Sequence, residues 1–275
     1  MENRLVEYAG PPDAGGPFAR LTLNSPHNRN ALSIALVNQL HHGLRDAASD
    51  PAVRAVVLGH TGGTFCAGAD LSEASGGAPF DMAAARAREL TALLRAIVES
   101  PLPVIAAIDG HVRAGGFGLV GACDITVAGP RSTFALTEAR IGVAPAIISL
   151  TLLPKMSARS AARYYLTGET FDAAQAAEIG LITMAADDVD AAVQQLIADV
   201  GRGSPQGLAA SKALTTAAVL EGFDRDAERL TEESARLFVS EEAREGMLAF
   251  LQKRPPSWAA AAQPRERPGD DEAAK

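Results

Sequence analysis

The sequence has few cysteines, no metal-binding spacing and no long apolar run. Its 275 residues include only two cysteines, Cys66 and Cys123, which form no CxxC pair and have no histidine cluster beside them. This spacing excludes the common zinc motifs, so we expect no metal site and two small core thiols. The chain also lacks a run of about 18 apolar residues, so we expect no membrane-spanning helix.

A basic surface is missing as well. The chain carries 25 Lys and Arg against 33 Asp and Glu, a net charge of −8, with no long Lys/Arg run. A generic nucleic-acid binder needs a basic face, so we expect no nucleic-acid partner. Residues 1–10 lack the apolar stretch of a signal peptide, so we expect a cytoplasmic protein that does not bind membranes.

The residues that are present predict an α/β protein. Hydrophobic residues make up 47% of the chain and charged residues 21%, which is typical of a globular protein with a sizeable core. Two strands followed by a helix recur along the first two thirds, which indicates a right-handed spiral of ββα units and not a doubly wound sheet. The predicted strands are Leu5–Tyr8, Phe18–Asn24, Val53–Gly59, Val104–Asp109, Asp124–Ala128 and Phe134–Leu136.

From Ser157 onward the pattern is almost entirely helical. Separate helices are predicted from Ser204, over Glu221–Leu237 and over Glu241–Lys253. The end of the chain is rich in Pro, Ala and charged residues, which is typical of disorder. We therefore predict a spiral core over residues 1–200, a helical C-terminal region over 201–258 and a disordered tail over 259–275.

Two loops rich in small residues each follow a predicted strand. The first is Phe65-Cys66-Ala67-Gly68-Ala69-Asp70-Leu71, and the second is Asp109-Gly110-His111-Val112-Arg113-Ala114-Gly115-Gly116, which opens a helix. Together they could place two backbone N–H groups on one oxygen, as in an oxyanion hole. Each loop alone is also consistent with a tight strand-to-helix turn. Neither has the lysine of a phosphate-binding P-loop.

A third segment carries a carboxylate. Glu138 follows the short apolar strand at Phe134–Leu136 and lies two residues before Arg140. It is either a salt-bridged or solvated surface residue, or a general acid/base beside an apolar pocket, where burial tunes its pKa. Arg140 either pairs with Glu138 or points away toward another subunit.

These three segments, in this order and at this spacing, resemble the crotonase (enoyl-CoA hydratase/isomerase) superfamily. The resemblance runs over residues 4–258. Its supporting matches are Asn28-Arg29-Asn30-Ala31-Leu32, Ala122-Cys123-Asp124-Ile125, Leu166-Thr167-Gly168, Ala177-Glu178-Ile179-Gly180-Leu181 and the closing helix Glu245–Arg254.

The resemblance implies an enzyme that binds an acyl-CoA thioester and stabilises its enolate. By the same resemblance, Ala69 and Gly115 supply the oxyanion-hole N–H groups and Glu138 is the acid/base. No cofactor is implied beyond the coenzyme A moiety of the substrate, and the assembly implied is a homotrimer or a dimer of trimers with a helical trimerisation region. The positions that match coenzyme-binding segments are Arg29, Ala31, Ala67, Asp70 and Leu71, with Phe250 and Lys253 on a helix that often completes a neighbouring subunit's site.

One position departs from the family pattern. Hydratases similar to this chain typically use a first glutamate three residues after the matching Gly115, where this chain has Gly118. Enoyl-CoA isomerases work with one glutamate, and so do hydratases similar to bacterial methylglutaconyl-CoA hydratases. The segment Gly142–Ser149 resembles the latter and favours a hydratase. A non-catalytic acyl-CoA binder is a third alternative, which the retained Glu138 disfavours.

Two residues near the second loop are candidates to replace the missing glutamate. His111 either takes part in catalysis or is a turn residue on the surface. Arg113 either holds a substrate carboxylate or braces a neighbouring loop, and the second interpretation is favoured.

Overall fold

A computed structural model of the chain describes residues 4–70 and 78–260. Two 3-10 turns, Pro26–Asn28 and Glu138–Ile141, accompany the regular elements. The strands are β1 Val6–Ala9, β2 Phe18–Leu23, β3 Ala55–His60, β4 Thr64–Cys66, β5 Val104–Ile108, β6 His111–Arg113, β7 Ile125–Ala128, β8 Thr133–Ala135, β9 Phe171–Asp172 and β10 Met184–Ala185. The helices are α1 Pro11–Ala14, α2 Ile34–Ser49, α3 Pro79–Glu99, α4 Gly115–Ala122, α5 Ser149–Leu152, α6 Ala158–Thr167, α7 Ala173–Glu178, α8 Val189–Val200, α9 Pro205–Phe238, α10 Glu241–Leu251 and α11 Ser257–Ala260.

The strands of the described residues form two sheets. One has the order β1-β2-β3-β5-β7-β10, and the other has the order β4-β6-β8-β9. The pairs β3/β4, β5/β6 and β7/β8 each give one strand to each sheet, and pairing between successive turns is parallel. This arrangement confirms the predicted spiral of ββα units.

Apolar residues on the inner faces of the strands and helices form the main core. Fully buried Phe65 on β4, Phe134 on β8 and Phe117 on α4 belong to it. Helix α2 begins at Ile34, and the hydroxyl of the preceding Ser33 caps it by accepting a hydrogen bond from Leu36 N at 3.2 Å.

The C-terminal helices share this core. The two predicted segments after Ser204 are one 34-residue helix, α9, which packs along α3 and buries Val219 and Phe223 in the main cluster. Lys212 Nζ on α9 lies 2.8 Å from Asp124 Oδ2 and donates to the Ile97 carbonyl at 2.8 Å. A buried ammonium with these partners ties α9 to the spiral, because leaving it unpaired would be costly.

Short elements account for the remaining differences from the prediction. The connection between the predicted strands β1 and β2 contains the one-turn helix α1, which begins at a proline pair suited to a first helical turn. Helix α11, Ser257–Ala260, begins in the predicted helical region and includes the first two residues of the predicted tail, and residues 261–275 lie outside the described residues. Within the described ranges, no helix is both long and apolar enough to cross a membrane.

Candidate active site

The three predicted segments leave the same edge of the smaller sheet. Strands β4, β6 and β8 are parallel, with Cys66 opposite Val112 and Arg113 opposite Ala135. The chain that follows each strand therefore emerges at their common carboxyl edge. This topology brings together the loop after Cys66, the start of α4 and the turn that carries Glu138, as ligand sites in parallel sheets commonly require.

The first loop presents a free backbone N–H. Leu32 N donates to the Gly68 carbonyl at 2.7 Å, and Asp70 N donates to the Leu32 carbonyl at 3.2 Å. This parallel bridge directs the intervening Ala69 N–H away from Leu32, because alternate groups of an extended chain point to opposite sides. Among the described residues, Ala69 N–H has no acceptor.

The second loop presents another free N–H beside it. Helix α4 begins at Gly115, so the Gly115 N–H has no partner within the helix. The preceding Ala114 adopts φ 45° and ψ −124°, a conformation that costs about 1–3 kcal/mol in a residue with a side chain. Such strain is typical of turns that must aim a backbone group.

The two loops are in direct contact. A Cβ atom placed on Gly68 would lie 3.1 Å from Gly115 N, and one placed on Gly115 would lie 3.7 Å from Ala69 N. The backbone N atoms of Ala69 and Gly115 therefore both lie close to the contact between the two loops. Two donors that flank one point can stabilise a single oxygen as negative charge develops on it.

Glu138 is buried at the start of its 3-10 turn. The residue is 8% exposed, and its Oε2 atom has no hydrogen-bond partner among the described residues. Burial raises the pKa of the Glu138 carboxyl to about 7, and a hydrogen bond from its own backbone offsets part of this shift. Because Glu138 is buried, its interpretation as a salt-bridged or solvated surface residue is wrong. A carboxyl with a pKa near neutrality can both accept and donate a proton.

This burial predicts a pH-dependent stability. The pKa of the Glu138 carboxyl is about 7 in the folded chain and 4.5 for an exposed glutamate. Between these pH values the folded chain therefore binds a proton at Glu138 that the unfolded chain has lost. The contribution of Glu138 to stability therefore falls as pH rises through this window, by about 2–3 kcal/mol. In urea unfolding, the free energy of unfolding of Glu138→Gln should rise by this amount relative to that of the wild type between about pH 5 and pH 8. Parallel stability curves for the two proteins would contradict the shift.

The position of the missing first glutamate is filled by apolar side chains. A Cβ atom placed on Gly118 would lie 2.8 Å from Ile148 Cγ2 and 2.9 Å from Leu94 Cδ1. Gly118 is itself buried inside α4. Apolar side chains therefore line the position where the family pattern has its first glutamate.

Introducing a glutamate at this position should destabilise the protein. Gly118→Glu places a carboxylate against Leu94 and Ile148, so we expect the free energy of unfolding to fall by about 1–3 kcal/mol or more from crowding and unpaired charge. Urea denaturation measures this change. The matched control is Gly222→Ala in α9, where an added Cβ meets no atom within 4 Å and should slightly stabilise the helix. Equal stability of Gly118→Glu and the wild type would contradict the prediction.

Four of the predicted coenzyme-binding residues lie on one connected face. Arg29 adopts a left-handed conformation, φ 59°, and its carbonyl accepts a hydrogen bond from Ala67 N at 3.1 Å. Asn28 Nδ2 donates to Asp70 Oδ2 at 3.1 Å, and Ala31 is buried beside them. The Arg29 side chain is exposed and makes no ion pair within the described residues. Leu71, the fifth predicted residue of this group, lies outside those residues.

Comparison with known proteins shows the family of the chain. The enoyl-CoA hydratase/isomerase family model matches residues 14–261. The chain belongs to the enoyl-CoA hydratase/isomerase family. It is 34% identical to the 2,3-dehydroadipyl-CoA hydratase of Escherichia coli over 245 residues, which cover 86% of this chain and 93% of that protein. It is 31% identical to the mevalonyl-coenzyme A hydratase of Aspergillus fumigatus over 250 residues, covering 86% and 90%.

A solved structure extends the family likeness to the fold. The crystal structure of an enoyl-CoA hydratase from Mycobacterium avium superposes with a TM-score of 0.89 at 81% identity. The match covers 94% of this chain and all of that one. The crotonase fold predicted from the three segments is therefore confirmed.

The two candidates to replace the family's first glutamate have structural partners. Arg113 donates from Nη1 to the Thr133 carbonyl at 2.7 Å and from Nη2 to Thr133 Oγ1 at 2.9 Å, so it braces strand β8 as favoured from the sequence. His111 is exposed, and its Nδ1 lies 2.8 Å from the same hydroxyl. Both side chains hydrogen-bond to Thr133 on β8, so neither one replaces the missing first glutamate.

Arg140 neither pairs with Glu138 nor points freely away. Its Nε and Nη2 atoms donate to the Thr167 carbonyl at 3.1 and 2.9 Å. A Cβ on Gly168 would lie 2.8 Å from Arg140 Nε, so glycine makes room for this contact. The guanidinium therefore links the turn that bears Glu138 to the C-terminal end of α6, which favours a positive partner.

Helix α10, which carries Phe250, packs on the same turn. A Cβ on Gly246 would lie 2.5 Å from the Ile141 carbonyl carbon, so glycine permits contact between the two backbones. Phe250 is 65% exposed, and Lys253 is exposed with φ 53°. No hydrogen bond or ion pair in the described residues joins either one to the Arg29 turn, and their coenzyme-binding role stays a prediction.

One polar residue of the site was missed at the level of sequence. Tyr165 on α6 has a buried hydroxyl without a hydrogen-bond partner in the described part of the chain. Burial raises the pKa of the Tyr165 phenol, and the negative charge of Glu138 raises it further. The signal was a tyrosine on the half-buried face of a helix, next to the Leu166-Thr167-Gly168 match, but a core position explains such a residue equally well.

Proposed function

We propose that this protein is an enoyl-CoA hydratase that adds water to a 2-enoyl-CoA thioester through an enolate held in an oxyanion hole. The observation that carries the proposal is the shared sheet edge, where two free N–H groups and a buried carboxyl with a pKa of about 7 follow three adjacent strands. A thioester oxygen between Ala69 and Gly115 would accept both N–H bonds. Removing one such donor typically costs about 10²–10³ in rate.

The proposed reaction balances with one carboxylate. Glu138 takes a proton from water as the water oxygen bonds to C3, and the C2–C3 π electrons move toward the thioester oxygen as an enolate. The carboxyl formed on Glu138 then gives its proton to C2, which restores the thioester and the carboxylate. The thioester serves as the electron sink, so the proposed reaction requires no redox cofactor and no metal.

The coenzyme would be held at the connected face formed by the Arg29 turn and the first loop. The exposed Arg29 guanidinium is suited to a phosphate of coenzyme A, because it is planar and always charged. Ala31 and Ala67 are small and allow close approach to the backbone. Asp70, which is fixed by Asn28, lies at the rim of the same face.

A second candidate function is Δ3,Δ2-enoyl-CoA isomerisation. The apolar wall of Leu94 and Ile148 at Gly118 supports it, because moving a proton from C2 to C4 needs one base and no water. The relatives named as hydratases and the segment Gly142–Ser149 support hydration. A non-catalytic binder is disfavoured, because burying Glu138 beside a thioester has a cost that binding alone does not require.

Two absorbance assays on one preparation test the proposal. One follows loss of the 2-enoyl-CoA chromophore on hydration, and the other follows its gain from a 3-enoyl-CoA on isomerisation. We expect fast loss with a 2-enoyl-CoA. Gain without loss would make the protein an isomerase and overturn the hydratase proposal, and activity in neither assay with short, long and dicarboxylic acyl chains would overturn both.

A further inference from the structure

The Tyr165 hydroxyl is the second unpaired buried polar atom of the described residues, and it lies on a helix, α6, that packs against the turn of Glu138. Across the described residues, the buried side-chain atoms without a hydrogen-bond partner are Glu138 Oε2 and Tyr165 OH. Buried polar groups are almost always hydrogen-bonded, so each orphan calls for an explanation. The two atoms lie on elements that pack against each other, α6 and the Glu138–Ile141 turn, so one bound molecule could serve both.

Tyr165 and Glu138 are complementary as hydrogen-bonding groups. Glu138 is the charged group that adds to burial in keeping the Tyr165 phenol protonated. The phenol is thus a hydrogen-bond donor at neutral pH, while Glu138, with a pKa of about 7, is an acceptor when ionised. A donor and an acceptor of this kind can hold one water oxygen and one of its protons.

The backbone keeps the pair in fixed relation. Helix α6 packs on the Glu138–Ile141 turn, and Arg140 from that turn donates twice to the Thr167 carbonyl, two residues beyond Tyr165. The neighbouring Tyr164 faces another direction, since its ring lies 4.0 Å from that of Phe171 in the core.

The apolar side chains at Gly118 offer no alternative hydrogen-bond donor. Ile148 and Leu94 fill the space at Gly118, and the nearby Thr151 hydroxyl already donates to the Gly118 carbonyl at 3.2 Å. Any second polar contact to the reacting water must therefore come from another side of the site. Tyr165 is the described residue with an unused buried donor.

We propose that the Tyr165 hydroxyl binds the oxygen atom that is added to C3, as the counterpart of Glu138 in a site whose usual first glutamate is glycine. This inference rests on the proposed hydratase function. Tyr165 donates a hydrogen bond to the water oxygen while Glu138 removes its proton, and it continues to donate to the 3-hydroxyl of the product. The phenol neither gains nor loses a proton, so the balance of the reaction is unchanged.

Tyr165→Phe tests the proposal, with Tyr164→Phe as the matched control on the same helix. Two rates are measured on each protein. One is hydration of a 2-enoyl-CoA, and the other is exchange of the C2 hydrogens of butyryl-CoA in D2O, followed by mass spectrometry. Exchange needs Glu138 and the oxyanion hole but no water nucleophile, so a merely structural role of Tyr165 would affect both rates alike.

We expect Tyr165→Phe to lower kcat for hydration by about 10- to 100-fold while C2 exchange stays within about twofold of the wild type. Tyr164→Phe should preserve both rates. Unchanged hydration in Tyr165→Phe, or equal loss of hydration and exchange, would overturn the role of Tyr165. A wild-type protein that exchanges C2 hydrogens but does not hydrate would overturn the hydratase function itself, and this outcome is recognised without any variant.

Discussion

Glu138→Gln should lower kcat for hydration of a 2-enoyl-CoA by about 10²- to 10⁴-fold, the usual cost of losing a general acid/base. Glutamine preserves the size of the side chain but cannot take a proton from water or return one to C2. KM should change little, because the coenzyme face around Arg29 lies on other segments. Steady-state kinetics with the purified variant measure both constants.

The matched control for this experiment is Glu178→Gln. Glu178 is an exposed residue on α7 with no ion pair among the described residues. The same chemical change there should leave kcat and KM as in the wild type. If Glu138→Gln retained the wild-type rate, Glu138 would not be the acid/base, and the buried carboxyl would need another explanation.

Gly68→Ala should have the second large effect, because it inserts a methyl group between the two loops. Gly68 adopts φ 96°, and its added Cβ would lie 2.6 Å from Ala114 Cβ. Neither backbone can move aside cheaply, so the Ala69 and Gly115 N–H groups should separate. We expect kcat/KM to fall by about 10²- to 10³-fold, similar to the loss of one oxyanion-hole donor. Kinetics below the unfolding temperature of the variant measure this loss.

Gly63→Ala is the control for that change. Gly63 lies in the turn just before β4, and an added Cβ there meets no atom within 4 Å. Its activity should equal that of the wild type. A folded Gly68→Ala protein with wild-type kcat/KM would contradict an oxyanion hole formed by these two loops.

Local sequence signals predicted most of the fold, because each has a local physical cause. The apolar runs predicted as strands at Val53–Gly59 and Val104–Asp109 are β3 and β5 in the structure. The short strands of the second sheet were less visible. β4 has three residues within a glycine-rich loop, and such a segment is extended only because β6 pairs with it.

The site was predicted in part for the same reason. Ala69, Gly115 and Glu138 stood out because each follows a strand, and parallel strands bring their ends to one edge. Tyr165 gave no such signal, since its environment depends on how α6 packs against a turn about 27 residues earlier. The assembly state and the roles of Phe250 and Lys253 remain predictions from family resemblance.

The sequence by itself determined the family, the spiral of ββα units and the three segments of the site, because these follow from short-range patterns and their order along the chain. Only the tertiary structure decided which groups are buried and which partners they have. Glu138 is buried, which raises the pKa of its carboxyl, and Arg140 donates to the Thr167 carbonyl. Arg113 donates to the Thr133 carbonyl on β8, and Leu94 and Ile148 lie against Gly118. Burial and side-chain contact depend on residues distant in sequence, and they determine the chemistry available to a carboxylate whose position the sequence already predicts.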